Sequence, residues 1–574
     1  MAAPSASDDE DYYDLGRYRR PITTTSPDAE TWFNRGLVWC YGFNHEEAVR
    51  CFEKALAADP ACAMAHWGVA YALGPNYNKP WGSFDDEELE TVVQRTHRMV
   101  EQASKCAARS GATPLEKALI DALRYRYPRD HVAADGGQGG EKECPVWNVQ
   151  YADAMQRVHA DFGADLDLDV AALCADALMN LTPWKLWDLR TGLPAAGART
   201  REVRLILERA LTQTPGGMQH PGVLHLYIHY VEMSPHPEQG LPAADALRAL
   251  VPDAGHLLHM PTHIDVLCGD YSRGIASNRA AFEADEKFLA RAGALNFYTL
   301  YRMHDYHFCI YSALFAGQSR VALETVARLE ASLSAGLLQV RSPPMADWLE
   351  GFLAMRVHAL VRFGRWGDLI ALPLPEDQAL YCVTTAMTHY AKAVALAAQS
   401  RLPEAEAQRR LFLAARRRVP ASRTLFNNRC VDLLDVAEAM MEGEVAFRRG
   451  RFDAAYAHLR QAVARDDGLP YDEPWGWMQP TRHAYGALLL EQAHYAEAAA
   501  VYAEDLGLDG KLPRALRHPG NVWALHGYHE CLVRLGRKEE AAAIEPELRK
   551  ALERADVPIK SSCFCRRVEA QCAL

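Results

Sequence analysis

The residues best suited to chemistry in this chain are histidines set four apart. His225-Leu-Tyr-Ile-His229 recurs as His259-Met-Pro-Thr-His263, and the offset is 34 residues at both members, 259 − 225 and 263 − 229. Histidines four apart share one face of a helix. A constant offset puts equivalent faces side by side when successive units stack, so four imidazoles are expected on one wall. His304 and His307 follow downstream and extend the set to six. The chemistry such a set serves is metal ligation, because neutral imidazole is a donor for zinc, copper, iron and nickel. The expected ligands are His225, His229, His259, His263, His304 and His307, for one ion with an open position or for two ions. Glu232 follows His229 by three and faces the same way. It is expected as the catalytic base, with ligand or ring-orienting roles as alternatives. The transition metal favoured by a set rich in histidine and poor in carboxylate is copper, with iron or zinc as alternatives.

A second tier of candidates lies further along: His483, His526 and Glu530, and the pair Cys563-Phe-Cys565 near the C-terminus. Closely spaced thiols bind soft metals or undergo redox chemistry. A tail that folds back would bring them into a His/Cys site. His45, His97, His159 and His458 carry the bland reading of satisfied helix histidines. Asp165-Leu-Asp-Leu-Asp169 alternates like a calcium loop but lacks the glycine and terminal glutamate of an EF-hand, so it reads as a solvated turn. Gly74-Pro-Asn-Tyr-Asn78-Lys-Pro-Trp81 reads as a rim loop, and Leu181-Thr-Pro-Trp-Lys-Leu-Trp187 as an aromatic wall or inter-helix core. The sequence shows no Walker loop, nucleophile elbow or dinucleotide fingerprint.

The elements that must hold these residues are helices. Alanine- and leucine-rich helical patterning dominates, and β-branched alternation is nearly absent. The clearest repeat is 29–62, with Trp32, Gly36 and Trp39 on a first helix, Ala48, Phe52 and Ala55 on a second, and Asp59-Pro60 closing it. Further units register on turn residues such as Gly269, Gly317, Gly364, Gly450 and Gly536. The expected organisation is an N-terminal segment 1–28, repeats over 29–130, a loop-rich insertion over 131–200, His-rich central repeats over 201–340 bearing the site, repeats over 341–555, and a Cys-containing tail over 556–574.

Composition narrows the function classes. Charged residues are 24% and hydrophobic ones 49%, with a net charge of −12. That balance fits a soluble protein and disfavours a binder of nucleic-acid backbones. The N-terminus has no signal-peptide pattern, and nothing is long and apolar enough to span a membrane. Fourteen cysteines without a disulfide-framework spacing suit a reducing, cytoplasmic location.

These residues resemble the tetratricopeptide-repeat (TPR) family, in particular a His-rich branch distantly similar to the StaR-like group that includes tetratricopeptide repeat protein 38. The resemblance rests on Phe43-Asn-His-Glu-Glu-Ala48, His66-Trp-Gly68, Gly74-Pro-Asn-Tyr-Asn78, His220-Pro-Gly222, the two His-x-x-x-His pairs and Ser562-Cys-Phe-Cys565. It implies an all-α, right-handed solenoid of helix hairpins with loop-rich insertions. It also implies that the first helix of each unit lines a concave groove and turns His225, His229, His259 and His263 inward. Three functional readings follow. The first is a metal-dependent oxidoreductase using copper or iron on groove histidines, acting on a small-molecule or peptide substrate. The alternatives are a zinc hydrolase and a non-enzymatic scaffold for protein–protein interaction.

Overall fold

A helix needs a cap, an apolar stripe and a stop, and the first hairpin shows all three. In the computed structural model, which describes residues 12–109, 111–132, 139–163 and 167–567, α1 spans Pro27–Tyr41. Ser26 caps it by accepting from the Ala29 amide, and Pro27 sits in its first turn. The helix α2 (His45–Ala58) is capped by Asn44 and ends at Asp59. It packs between α1 and α3 (Ala63–Leu73). Phe52 of α2 fills the space left by two glycines: a Cβ at Gly36 of α1 or at Gly68 of α3 would stand within 3 Å of its ring. A large residue on the second helix thus nests into small residues on the first helices of its own pair and the next. The same device returns where Tyr502 meets Gly486 and Gly527.

Regular structure among the described residues is almost entirely helical, as the patterning predicts. It divides into two compact units. The first comprises residues 1–264 and 280–302. After α3 it continues through α4 (Asp86–Ala107), α5 (Pro114–Leu123), α6 (Gly139–Phe162), α7 (Leu168–Met179), α8 (Thr200–Gln213), α9 (Pro221–Glu232), α10 (Leu241–Leu247), α11 (Gly255–His259) and the start of α12 (Pro261–Leu267). Residues 280–302 add the second part of α13 (Tyr271–Ala292) and the first turn of α14 (Thr299–Ala316).

The second unit comprises residues 265–279 and 303–574. Beyond α14 it holds α15 (Ser319–Ser332), α16 (Ala335–Leu338), α17 (Met345–Leu349), α18 (Met355–Arg362), α19 (Trp366–Ala371), α20 (Cys382–Ala398), α21 (Leu402–Arg416), α22 (Cys430–Arg448), α23 (Phe452–Asp467), α24 (Thr481–Glu491), α25 (Tyr495–Leu506), α26 (Val522–Arg534) and α27 (Lys538–Arg554). Its clearest hairpins are α20/α21, α22/α23, α24/α25 and α26/α27. Strands among the described residues are limited to two-residue pairs, Trp187–Asp188 with Leu193–Pro194 and Thr424–Leu425 with Asn428–Arg429.

The zone 131–200, expected to be loop-rich, carries α6 and α7, and its irregular stretch is 180–199. Every residue of α7 after Leu168 is buried, so tertiary burial supports a helix inside a zone expected to be loop-rich. Gly136, Gly137 and Gln138 lie outside the described residues, as do Met1–Asp11, Asp165 and Gln571–Leu574. Asp167 caps α7 through the Val170 amide, and Asp169 is buried, accepting from Tyr18, Tyr41 and Arg20. That pair therefore anchors the N-terminal segment and is not a solvated turn.

Candidate metal centre

Helix α9 begins with His220, whose Nδ1 accepts from the Val223 amide, and Pro221 occupies its first turn. Every residue of this helix is buried. Gly222 lets α1 approach closely, since a Cβ there would lie 2.4 Å from the Tyr41 ring. The approach brings the Tyr41 carbonyl to His225, whose Nδ1–H donates to it at 2.6 Å. One turn on, His229 donates from Nδ1 to Glu232 Oε1 at 2.8 Å. With Nδ1 of His225 donating to a carbonyl and Nδ1 of His229 donating to an ionised Glu232, the two Nε2 atoms carry lone pairs, and neither has a hydrogen-bond partner. Their rings stand 4.8 Å apart.

His256, on α11, completes this set. Its amide donates to the Tyr298 hydroxyl, which donates in turn to Asp285. Ligating nitrogens of His225, His229 and His256 all fall within 4.8 Å of one another. Closing by about 1.5–2 Å at the widest pair would bring them to the spacing of donors on one ion. Nothing in the four-residue spacing pointed to His256; its position three before His259 is the signal that would have found it.

The segment His259-Met-Pro-Thr-His263 is divided by Pro261 into the end of α11 and the start of α12. Met260 stays in the right-handed helical region, so the two histidines keep one face. Their Nε2 atoms meet at 2.8 Å. Glu232 spans both pairs: its second oxygen pairs with His263 Nδ1. Another candidate group is His229, Glu232 and His263.

The surroundings differ from the expected open groove wall. His225, His229, Glu232, His256, His259 and His263 are at most 1% exposed. The covering comes from loops. The Phe43 ring sits 4.4 Å from His225, 5.9 Å from His229 and 5.6 Å from His256. Tyr77 stands 4.9 Å from the His229 ring and Trp184 5.4 Å from it. Phe43 (φ 55°) and Trp184 (φ 58°) both hold left-handed backbone, which costs a bulky residue energy that its packing must offset. In other hairpin turns glycine takes that place, as at Gly364 (φ 62°) and Gly450 (φ 72°). Phe43 also lines a cavity of about 280 Å³ with His45, Asn76, Lys79 and Phe84 among its walls.

Electrostatics keep the imidazoles neutral. Burial, then the neighbouring His229, holds His225 well below the ordinary histidine range. Burial alone brings His229 to about 3. Burial also pushes the Glu232 carboxyl well above its usual value; a cation beside the imidazoles would favour its ionised form. With both oxygens bonded to ring nitrogens, Glu232 is an orienting group here, and it faces histidines where a general base would need to face a water.

The remaining candidates lie in the second unit. His304 packs against Phe308 and Phe426, and His307 places Nε2 2.8 Å from Met478 Sδ. Both ring nitrogens of His483 are taken, by Arg362 at 2.9 Å and Asp505 at 2.8 Å. Glu530 is held by a two-pronged pair with Arg566 at 2.6 and 2.8 Å, one turn after His526. Cys563 and Cys565 are joined as a disulfide. The tail folds back within its own unit. Arg362 donates to the Ser562 carbonyl, and Ser562 Oγ donates to the His483 carbonyl at 2.8 Å.

Comparison with known proteins bears on the fold. Residues 29–62 match the tetratricopeptide repeat model. No curated protein matches the chain. Among solved structures, the APC/C hetero-tetramer Cut9–Hcn1 aligns at 12% identity, covering 85% of this chain and 74% of that one, with a TM-score of 0.31. Naa15/Naa10 bound to HypK-THB aligns at 12%, covering 92% and 70%, with a TM-score of 0.20. Yeast Tom70 aligns at 11%, covering 92% and 93%, with a TM-score of 0.25. The family match carries one tetratricopeptide repeat over residues 29–62; the His-rich branch is not among the matches.

Proposed function

We propose that this chain is a tetratricopeptide-type interaction scaffold that carries a transition-metal centre on His225, His229 and His256 of its first unit. The scaffold part rests on the hairpins and the matched repeat. The metal part rests on one observation: the buried Nε2 atoms of His225 and His229, both bare lone pairs, converge with His256. Leaving such atoms unpaired costs about 1–3 kcal/mol each, and a shared cation removes that cost. The Tyr41 carbonyl and Glu232 fix the tautomers that ligation requires. All-imidazole donors suit copper first, then zinc. The zinc-hydrolase alternative is weakened because Glu232 has no oxygen to spare.

An oxidative activity is the second reading, and one observation favours it. Phe43 faces the three imidazoles on one side and the cavity of about 280 Å³ on the other, so displacement of one ring would admit oxygen or a small substrate. The test is elemental analysis of protein purified without a polyhistidine tag, followed by oxygen-consumption assays on the loaded form. A stoichiometric ion lost in His225→Ala and His229→Ala supports the centre. Protein that takes up no copper or zinc leaves the scaffold alone.

A further inference from the structure

We infer that His259 and His263 bind a second ion, and that the Glu232 carboxylate couples it to the first. The inference extends the centre on His225, His229 and His256 but stands on different donors. Two imidazole nitrogens bonded to one ion at about 2.0–2.1 Å lie roughly 2.9–3.4 Å apart for bond angles between square and tetrahedral. The His259 and His263 Nε2 atoms are 2.8 Å apart, so a small opening suffices. His263 is already oriented, because Glu232 takes its Nδ1. For His259, ligation through Nε2 places the ring proton on Nδ1, which faces Thr262 Oγ1 at 3.5 Å.

The two donor sets are neighbours. The His229 and His263 rings are 5.7 Å apart, and so are His256 and His259. One carboxylate orients a ligand of each ion, Oε1 to His229 and Oε2 to His263. A two-ion centre explains why one glutamate is buried between two histidines: each ion's charge stabilises the carboxylate, and the carboxylate raises the basicity of a ligand to each ion. Glu232 is then a positioning residue. Pairs of ions about 3.5–4 Å apart can act together on one substrate oxygen.

The experiment titrates metal-free full-length chain with Cu(II), and separately with Zn(II), reading stoichiometry by elemental analysis after desalting and copper by spin-integrated EPR. Two ions per chain are expected, with an EPR signal below the copper content because neighbouring Cu(II) ions couple. His259→Ala and the polar His259→Asn should each hold one ion and show an uncoupled signal equal to the copper present. His225→Ala should do the same from the other side. Glu232→Gln, which offers an acceptor to only one of the two Nδ1–H groups, should weaken binding by about 10–100-fold while its metal-free melt stays near the parent's. One ion per chain, retained in both His259 variants, overturns the second site and leaves the first standing. Loss of the single ion in the His259 variants but not in His225→Ala overturns the first assignment. No ion under either metal overturns both.

Discussion

His229→Ala separates what the imidazole does for the fold from what it does for an ion. In metal-free protein, truncating a fully buried ring opens a cavity and strands Glu232 Oε1, a cost of about 2–4 kcal/mol by analogy with other large-to-small changes. It also removes a bare buried Nε2, which returns about 1–3 kcal/mol. The metal-free variant should therefore melt close to the metal-free parent, within about 3 kcal/mol. Loaded protein is a different case. An ion present at 1,000 times its dissociation constant stabilises by about 4 kcal/mol, on the order of 10 °C in a unit of this size. Differential scanning fluorimetry with chelator and with Cu(II) measures all four states. The parent should gain that shift on loading and the variant should gain little. If the variant gains as much as the parent, His229 is not a ligand. If the metal-free variant falls by far more than about 3 kcal/mol, the histidine is core and the bare lone pair carries no weight.

Three further outcomes follow from the same geometry. Phe43→Gly should be more stable than Phe43→Ala by about 1 kcal/mol, reversing the usual order, because φ at 43 is 55°; equal melts would show that the strain is negligible. Acid should weaken the second unit. His358 is held by burial at about 3 and His483 at about 4, also chiefly by burial. The unfolded chain takes up their protons as pH falls below about 6.5 and the folded unit does not, so stability present above that value drops on the order of 4 kcal/mol for the pair by pH 5. Asp505 is held far below the usual carboxylate range by His483 and His518 against the cost of burial, so its contribution persists through that window. Urea melts of His358→Gln and His483→Gln against pH check the slope. Cys563→Ser should leave metal content unchanged and cost under about 1 kcal/mol, because the tail is held through Ser562 and Arg566; loss of an ion in this variant would return the tail to the site.

How much of this was legible in the sequence depends on what a period encodes. The 34-residue offset and the four-residue spacing identify helices and a shared face, and they bring His225 with His229 and His259 with His263. They say nothing about what covers that face. The expectation of an open wall failed because Phe43, Tyr77 and Trp184 come from turns and loops, and Phe43 and Trp184 hold left-handed backbone that no helical pattern encodes. The same limit hid His256, which reaches the site because α11 and α12 are short and Pro261 divides what the repeat rule treats as one helix. Glu232 was legible as a neighbour of His229 with base, ligand and ring-orienting roles all open to it, and the bond that favours orientation runs to a residue 31 positions away. Local spacing nominates donors, but long-range packing decides which nitrogen of each ring is left to bind. For His225 that decision is made by the Tyr41 carbonyl, 184 residues earlier in the chain.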